Sequence, residues 1–454
     1  MSKGLVKDFT TGNIWKELII FSMPLFLANL LQMVYNMVDT VVVGRVLGNP
    51  GITGVTIGGD VTHFFTMLVM GFSGAASIII SQLVGASKRD KIGKVIGTLS
   101  IFLLICAVFF TVGGVIFRTQ ILTAMNTPAE CFKEALDYST VCIVGLVFIF
   151  GYNAVSAVLR GLGDSKHPFI FIAIAAVLNT ILDILFVMVF NMGTFGAALA
   201  TVIGQGVSFI TALIFLITHK DSLGFVVQKE DIKIDREIFG TLVKLGIPMA
   251  LKQASISFSK IFINAFINGY GVTVAAVGGI GHKICNIPML VSNSVNTAGS
   301  SMVGQNIGGE KYDRVPKILL AITTIVGVLV LIFMAITIIF PSQVFMLFTK
   351  DNSIIPVAME YMPILILNFV GSIARSPSNA LINGSANYSV NFVMAILDAF
   401  LARLGLGLLF GKVLGMNYFG FWLGDAISGF MPFIIGGIYF LTGKWKTRKY
   451  VVKE

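Results

Sequence analysis

Gln32, Tyr35, Asn36 and Asp39 interrupt a stretch whose other residues, Leu30, Leu31, Met33, Val34, Met37 and Val38, are apolar. Their spacing of 0, 3, 4 and 7 places all four on one face of a helix. A later stretch carries Asn179, Thr180 and Asp183 within about one turn, with Ile, Leu, Val and Phe on its other faces. Two carboxylates brought into one apolar pocket repel until a proton or a cation sits between them. Oxygen ligands of this kind suit H⁺ or Na⁺ rather than a transition metal. The chemistry implied is reversible cation binding. The competing reading is that each aspartate braces a neighbouring helix. A third polar stripe, Gln253, Ser257, Lys260 and Asn264, runs along another apolar stretch, and Asp398 lies in one further on. A Lys260–Asp398 ion pair would brace that part of the chain or line a substrate path. Asp60 with His63, His282-Lys283, Arg375, Arg403 and Asp425 read as inter-helix braces or as side chains reaching to the membrane interface.

These residues matter because of where they lie. Of 454 residues, 56% are hydrophobic and 12% charged, against about 45–50% and about 25% in soluble domains. The mean hydropathy is +0.90. Such a chain is a polytopic membrane protein, and soluble-enzyme readings drop out. A charge near the bilayer centre costs at least about 2.5–3.5 kcal/mol, so each intramembrane ion requires a reason. The apolar runs are continuous rather than alternating, which argues against a β-barrel. They number twelve: 14–43, 52–83, 93–115, 134–159, 167–190, 195–218, 238–267, 272–304, 316–340, 354–381, 389–411 and 419–441. The expected fold is all-α, with twelve transmembrane helices.

Placing the N-terminus in the cytoplasm puts 22 of the 32 Lys and Arg on the inner side and 5 on the outer side. The inner set includes Lys3, Lys88, Arg89, Lys91, Arg236, Lys311, Arg314, Arg448, Lys449 and Lys453. This bias orients both termini to the cytoplasm of a cell membrane. The net charge of +10 therefore reports topology rather than nucleic-acid binding. Cys106, Cys131, Cys142 and Cys285 have no metal-ligand or redox spacing. Residues 1–13 are polar, and the run from Ile14 is too long for the apolar region of a cleavable signal.

The chain also repeats itself. Ala75-Ala76-Ser77 and Gln82-Leu83-Val84-Gly85 return as Ala298-Gly299-Ser300 and Gln305-Asn306-Ile307-Gly308. Pro24 returns as Pro248, Asn179 as Asp398, and Phe195-Gly196 as Phe419-Gly420. The expected organisation is a six-helix lobe over 1–218, a charged cytoplasmic linker over 219–237 and a second six-helix lobe over 238–454. Parallel repeats of this kind build transporters whose lobes rock about a site. There is no GxxxxGK[ST] loop, no HExxH, no TVGYG-like filter and no arginine ladder. ATPase, protease and selective-channel readings therefore lack support, and an ion gradient is left as the energy source. No enzyme activity and no cofactor is expected.

With these residues in view, the chain resembles the multidrug and toxic compound extrusion (MATE) transporters of the MOP flippase superfamily. The resemblance rests on Met23-Pro24, Val38-Asp39-Thr40 with Gly44, Gln82-x-x-Gly85-Ala86, Leu159-Arg160-Gly161-x-Gly163-Asp164, Asn179-x-x-x-Asp183 and Gln305-x-x-Gly308. It implies a monomer that exports organic cations or amphiphiles in exchange for H⁺ or Na⁺. In the DinF-like branch, Asp39, Asn179, Asp183 and Thr201 match the coupling-cation positions, which would also be the ligands of a Na⁺. Gln32 and Tyr35, with Asn153, match positions lining the same cavity, and Asn36 shares their face. The NorM-like branch carries a Glu eight residues after the proline of its seventh helix. Here that position is Ile256, which leaves Asp398 without an acidic partner and turns attention to the first lobe. The alternative is a flippase for a lipid-linked precursor, for which Lys252, Lys260, Lys283, Arg375 and Arg403 would hold a diphosphate.

Overall fold

A computed structural model describes residues 6–225 and 228–446. Lys3, Arg448, Lys449 and Lys453, read above as cytoplasmic, lie outside them. Among the described residues the structure is helical, without strands. The first helix, α1, runs Ile14–Gly85 over 72 residues. At 1.5 Å per residue that is roughly 108 Å, more than three times the hydrocarbon core of a bilayer. It is two spans joined at Gly48, which leaves helical geometry at φ 65, ψ −151. Glycine takes that conformation without steric penalty, and Pro50 next to it has no N–H to continue the ladder.

The remaining longer helices of the first half are α2 (Ile92–Ile116), α3 (Phe132–Val144), α4 (Leu146–Gly161), α5 (Lys166–Asp183) and α6 (Gly193–Thr218). In the second half they are α7 (Arg236–Asn268), α8 (Val272–Gly308), α9 (Arg314–Ile339), α10 (Ile355–Gly384), α11 (Tyr388–Ile396), α12 (Asn417–Ser428) and α13 (Met431–Leu441). Two short helices, α3 and α4, meet at a 49° bend and together make one span. Among the described residues nine helices, counting α12 with α13 as one, are long and apolar enough to cross a membrane. That bent pair, the split of α1 at Gly48 and the more polar α7 bring the spans to twelve. Large apolar side chains such as Phe109, Ile261 and Leu441 are exposed, as a lipid-facing surface requires.

By packing, the chain forms two compact units. The first comprises Met1–Lys7 and Leu27–Gly246, and the second Asp8–Phe26 and Ile247–Glu454. The start of α1 therefore packs with the second half of the chain, and the start of α7 with the first. In the second unit, Phe9 N donates to Gln305 Oε1 at 2.8 Å, and Arg314 donates to the Gly12 carbonyl at 3.0 Å. In the first, Asp235 N donates to Thr98 Oγ1 at 3.1 Å, and Phe239 stacks edge-on against Phe102. A Cβ at Gly97 would lie 1.9 Å from the Asp231 carbonyl oxygen, so only glycine lets the linker settle there. In each case the unit changes within one turn of Pro24 or Pro248, where the helix lacks a backbone hydrogen bond.

Candidate functional site

In the first unit the carboxylates predicted from spacing come together. Asp39, Asn179 and Asp183 are 2%, 3% and 0% exposed. Thr201 Oγ1 donates to Asp39 Oδ2 at 3.2 Å. Asn179, with its amide oriented to satisfy both neighbours, donates to Asp39 Oδ1 at 3.0 Å and accepts from Thr201 N at 3.2 Å. Asp183 lies close enough to Asp39 for their charges to interact. Both Asp183 oxygens are buried, and only a proton shared with Asp39 gives them a hydrogen-bond partner.

Local sequence explains this assembly. A Cβ at Gly204 would meet the Ala175 carbonyl oxygen at 3.3 Å and Asn179 Cβ at 3.4 Å. The glycine lets α6 approach α5, and Thr201, one turn earlier on α6, reaches Asn179. After Asp183 the backbone widens into a π-helical turn over Ile184–Val189, with Phe190 N bonded to Leu185 O at 2.9 Å. Such turns re-aim side chains and are frequent at functional sites. Asn191 and Gly193, both at positive φ, then close the tight return into α6.

Not every expected residue joins the cluster. Tyr35 is buried and accepts from Gln205 Nε2 at 3.3 Å. Gln32 is half-buried and Asn36 exposed. Asn153 donates to Ile149 O of its own helix at 2.8 Å. An open, largely apolar groove of about 240 Å³ runs beside Tyr35 and Thr180, with Leu31, Val34 and Val177 among its walls. Two contributors escaped the sequence reading. Gln205 stands four residues after Thr201 on the same helical face, a readable signal. Tyr138, 6% exposed, lies within electrostatic range of Asp39 and Asp183. Gly58 leaves room for its ring, since a Cβ there would sit 2.8 Å from Tyr138 Cδ1. Nothing in the spacing of the fourth span singles it out.

The donor set can be tested against the expected ion. Two carboxylates, an amide and a hydroxyl are hard oxygen donors, and no neutral donor occupies the Asp183 oxygens, which leaves coordination to give. Among the described residues no three His, Cys, Asp or Glu side chains gather as a metal-holding group. The set fits a proton or a monovalent cation.

The second unit is built differently. Asp398 pairs with Arg403 at 3.3 Å rather than with Lys260 as expected, and Arg403 also pairs with Asp425. The reason is local: π-helical geometry over Leu397–Leu406 puts Asp398 and Arg403, five residues apart, on one face. Asn264 is half-buried and stands apart from these pairs. Lys252 donates to Asn379 Oδ1 at 2.7 Å, and Lys283 is exposed.

Comparison with known proteins decides what this architecture is. The MatE family profile matches residues 24–185 and again 248–409. The chain belongs to the MATE family. The two matches coincide with the internal repeat, and membership makes the protein a membrane transporter rather than an enzyme. This MATE chain is 29% identical to the probable multidrug resistance protein YpnP of Bacillus subtilis, over 98% of this chain and 99% of that one. It is 22% identical to the multidrug export protein MepA of Staphylococcus aureus, over 80% and 81%. Among solved structures it is similar to a MATE in the bent conformation, at TM-score 0.89 and 22% identity, over 98% and 99% of the two chains. It is equally similar, at TM-score 0.89 and 21% identity over 99% and 100%, to a MOP superfamily transporter from Pyrococcus furiosus. The reverse polarity of that protein's binding pocket suggests a different function for it.

Proposed function

We propose that this MATE chain is a monomeric multidrug exporter of the DinF-like branch, moving cationic or amphiphilic small molecules out of the cell in antiport with H⁺ or Na⁺. The coupling cation binds in the first lobe, at Asp39 and Asp183, with Asn179 and Thr201 completing the shell. The lobes are 1–218 and 238–454, joined by 219–237, in the cell membrane with both termini cytoplasmic. One observation carries this reading: two carboxylates buried within interaction range of each other are stable only when a proton or cation compensates them. Antiport follows when cation and cargo favour different states of the same lobe, since each ligand shifts the equilibrium only by its differential affinity. The open groove beside Tyr35 offers apolar cargo a surface next to that charge.

The test is efflux of a fluorescent cationic dye from cells lacking their own pumps. Wild type is compared with Asp39→Asn and Asp183→Asn at matched membrane levels, with the H⁺ and Na⁺ gradients collapsed separately. Export by wild type and failure of both variants is the expected result, and the gradient whose collapse stops export names the ion. Normal export by well-inserted Asp183→Asn sinks the assignment. A second reading, a flippase for a lipid-linked precursor, draws on the basic residues gathered in the second unit. Dye export by wild type argues against it.

A further inference from the structure

A small cavity in the second unit is lined by Lys260, Arg375 and Arg403, together with His282, Asn368 and Asp425. Its free room is about 20 Å³, enough for one compact group, since a water needs roughly 10–15 Å³. Both nearby carboxylates are already engaged, because Asp398 and Asp425 each pair with Arg403. Arg403 is 2% exposed, and its Nε is a buried donor with no partner. Arg375 spends its Nε on the Gly371 carbonyl of its own helix at 3.3 Å. Among the described residues, neither Arg375 nor Lys260 has an ion-pair partner. Three cations therefore face one small space against two carboxylates, both held by one of the three. Inside a membrane such an excess is unfavourable unless an anion shares the space or Lys260 gives up its proton.

We propose that the second unit contains an anion-binding site that takes one carboxylate group, held by Lys260, Arg375 and the free Nε of Arg403. A carboxylate suits the site because guanidinium forks match its two oxygens, while an ammonium supplies a point charge at a third position. The occupant is a small free carboxylate or the carboxylate head of an amphiphile. In the second case the exporter's cargo includes anionic or zwitterionic molecules. That use of the site rests on the transport reading, but binding to it does not.

Purified full-length protein is titrated with dodecanoate and with dodecyltrimethylammonium, which share a tail and differ in charge. Wild type, Lys260→Gln, Lys260→Arg and Arg375→Gln are compared by isothermal titration, and the melting temperature of each verifies folding. Dodecanoate affinity is expected to fall at least about tenfold in Lys260→Gln and Arg375→Gln, the equivalent of losing about 1.4 kcal/mol. It should recover in Lys260→Arg, while dodecyltrimethylammonium binds all four proteins alike. Acetate is then added as competitor. If millimolar acetate displaces dodecanoate, a free small carboxylate fills the site; if only dodecanoate binds, the site reads a headgroup on a tail. Equal dodecanoate affinity in wild type and folded Lys260→Gln overturns the proposal, as does an equal change for both probes. Because no transport is measured, failure here leaves the coupling assignment in the first unit standing, and failure of dye export leaves this site standing.

Discussion

The two units repeat one another in sequence, yet the charge buried around corresponding registers differs. In the first, Asp39 and Asp183 face each other with neutral donors around them. At the same registers the second half has Ile263 in place of Asp39 and Asp398 in place of Asn179, while Asn36 gives way to Lys260. Arg403, next to the counterpart of Asp183, then holds two carboxylates at once. Both fifth spans of the repeat widen into π-helical turns beside these charges. The shared backbone device aims a side chain inward, and the side chain chosen sets the sign. The first unit is left with negative charge to be compensated, and the second with positive charge. The contrast teaches that a duplicated scaffold keeps its helix geometry while its buried charge is free to invert, provided each version compensates its own ions.

The contrast is open to attack at several points. The largest effect is expected from Arg403→Gln, which strands Asp398 and Asp425 without their shared cation. Losing one member of a buried pair costs about 3–5 kcal/mol, to be read as a fall in melting temperature, with dye export by the surviving protein still dependent on its ion gradient. Loss of ion dependence without loss of stability would put coupling in the wrong unit. Asp39→Asn and Asp183→Asn should instead lower coupled export by roughly 5- to 150-fold, the span of a 1–3 kcal/mol coupling energy. Their melting temperatures should hold or rise, because each removes a buried charge that needs a proton or cation to compensate it. Gly204→Val comes next. Its added methyls press on Ala175 and Asn179, and overpacking of this kind costs about 1–3 kcal/mol. Export should fall together with stability, whereas Gly206→Ala on the same helix, where a Cβ would meet Phe148 only at 3.7 Å, should be tolerated. The smallest effect belongs to Thr201→Val, which removes one hydroxyl donor to Asp39 and is worth about 1 kcal/mol. It should shift the ion concentration giving half-maximal export several-fold, with little change in melting.

Much of the first site was readable because its parts lie on short-range patterns. The spacing of Gln32, Tyr35 and Asp39 states a helical face, and Asn179 with Asp183 states another. Which members of those faces turn inward was not readable. Asn36 shares the face but is exposed, while Tyr138, on a helix with no distinguishing pattern, is buried beside the carboxylates. The preference of Asp398 for Arg403 over Lys260 depends on a π-helical register that the ordinary 3.6-residue period hides.

By itself the sequence determined the class of the protein. The apolar runs require membrane spans because only helices satisfy every backbone group in lipid. The basic loops give the orientation expected of those spans, and the repeat divides them into two sets. These conclusions depend on composition and on residues near one another in the chain. Tertiary structure alone decided the exchange that packs Asp8–Phe26 with the second unit and the start of α7 with the first. It alone decided how closely α5 and α6 approach at Gly204, and which cations in the second unit go without a carboxylate. Each of these depends on which distant helix faces meet. That meeting is set by shape complementarity and burial summed over many side chains, quantities that no local spacing encodes.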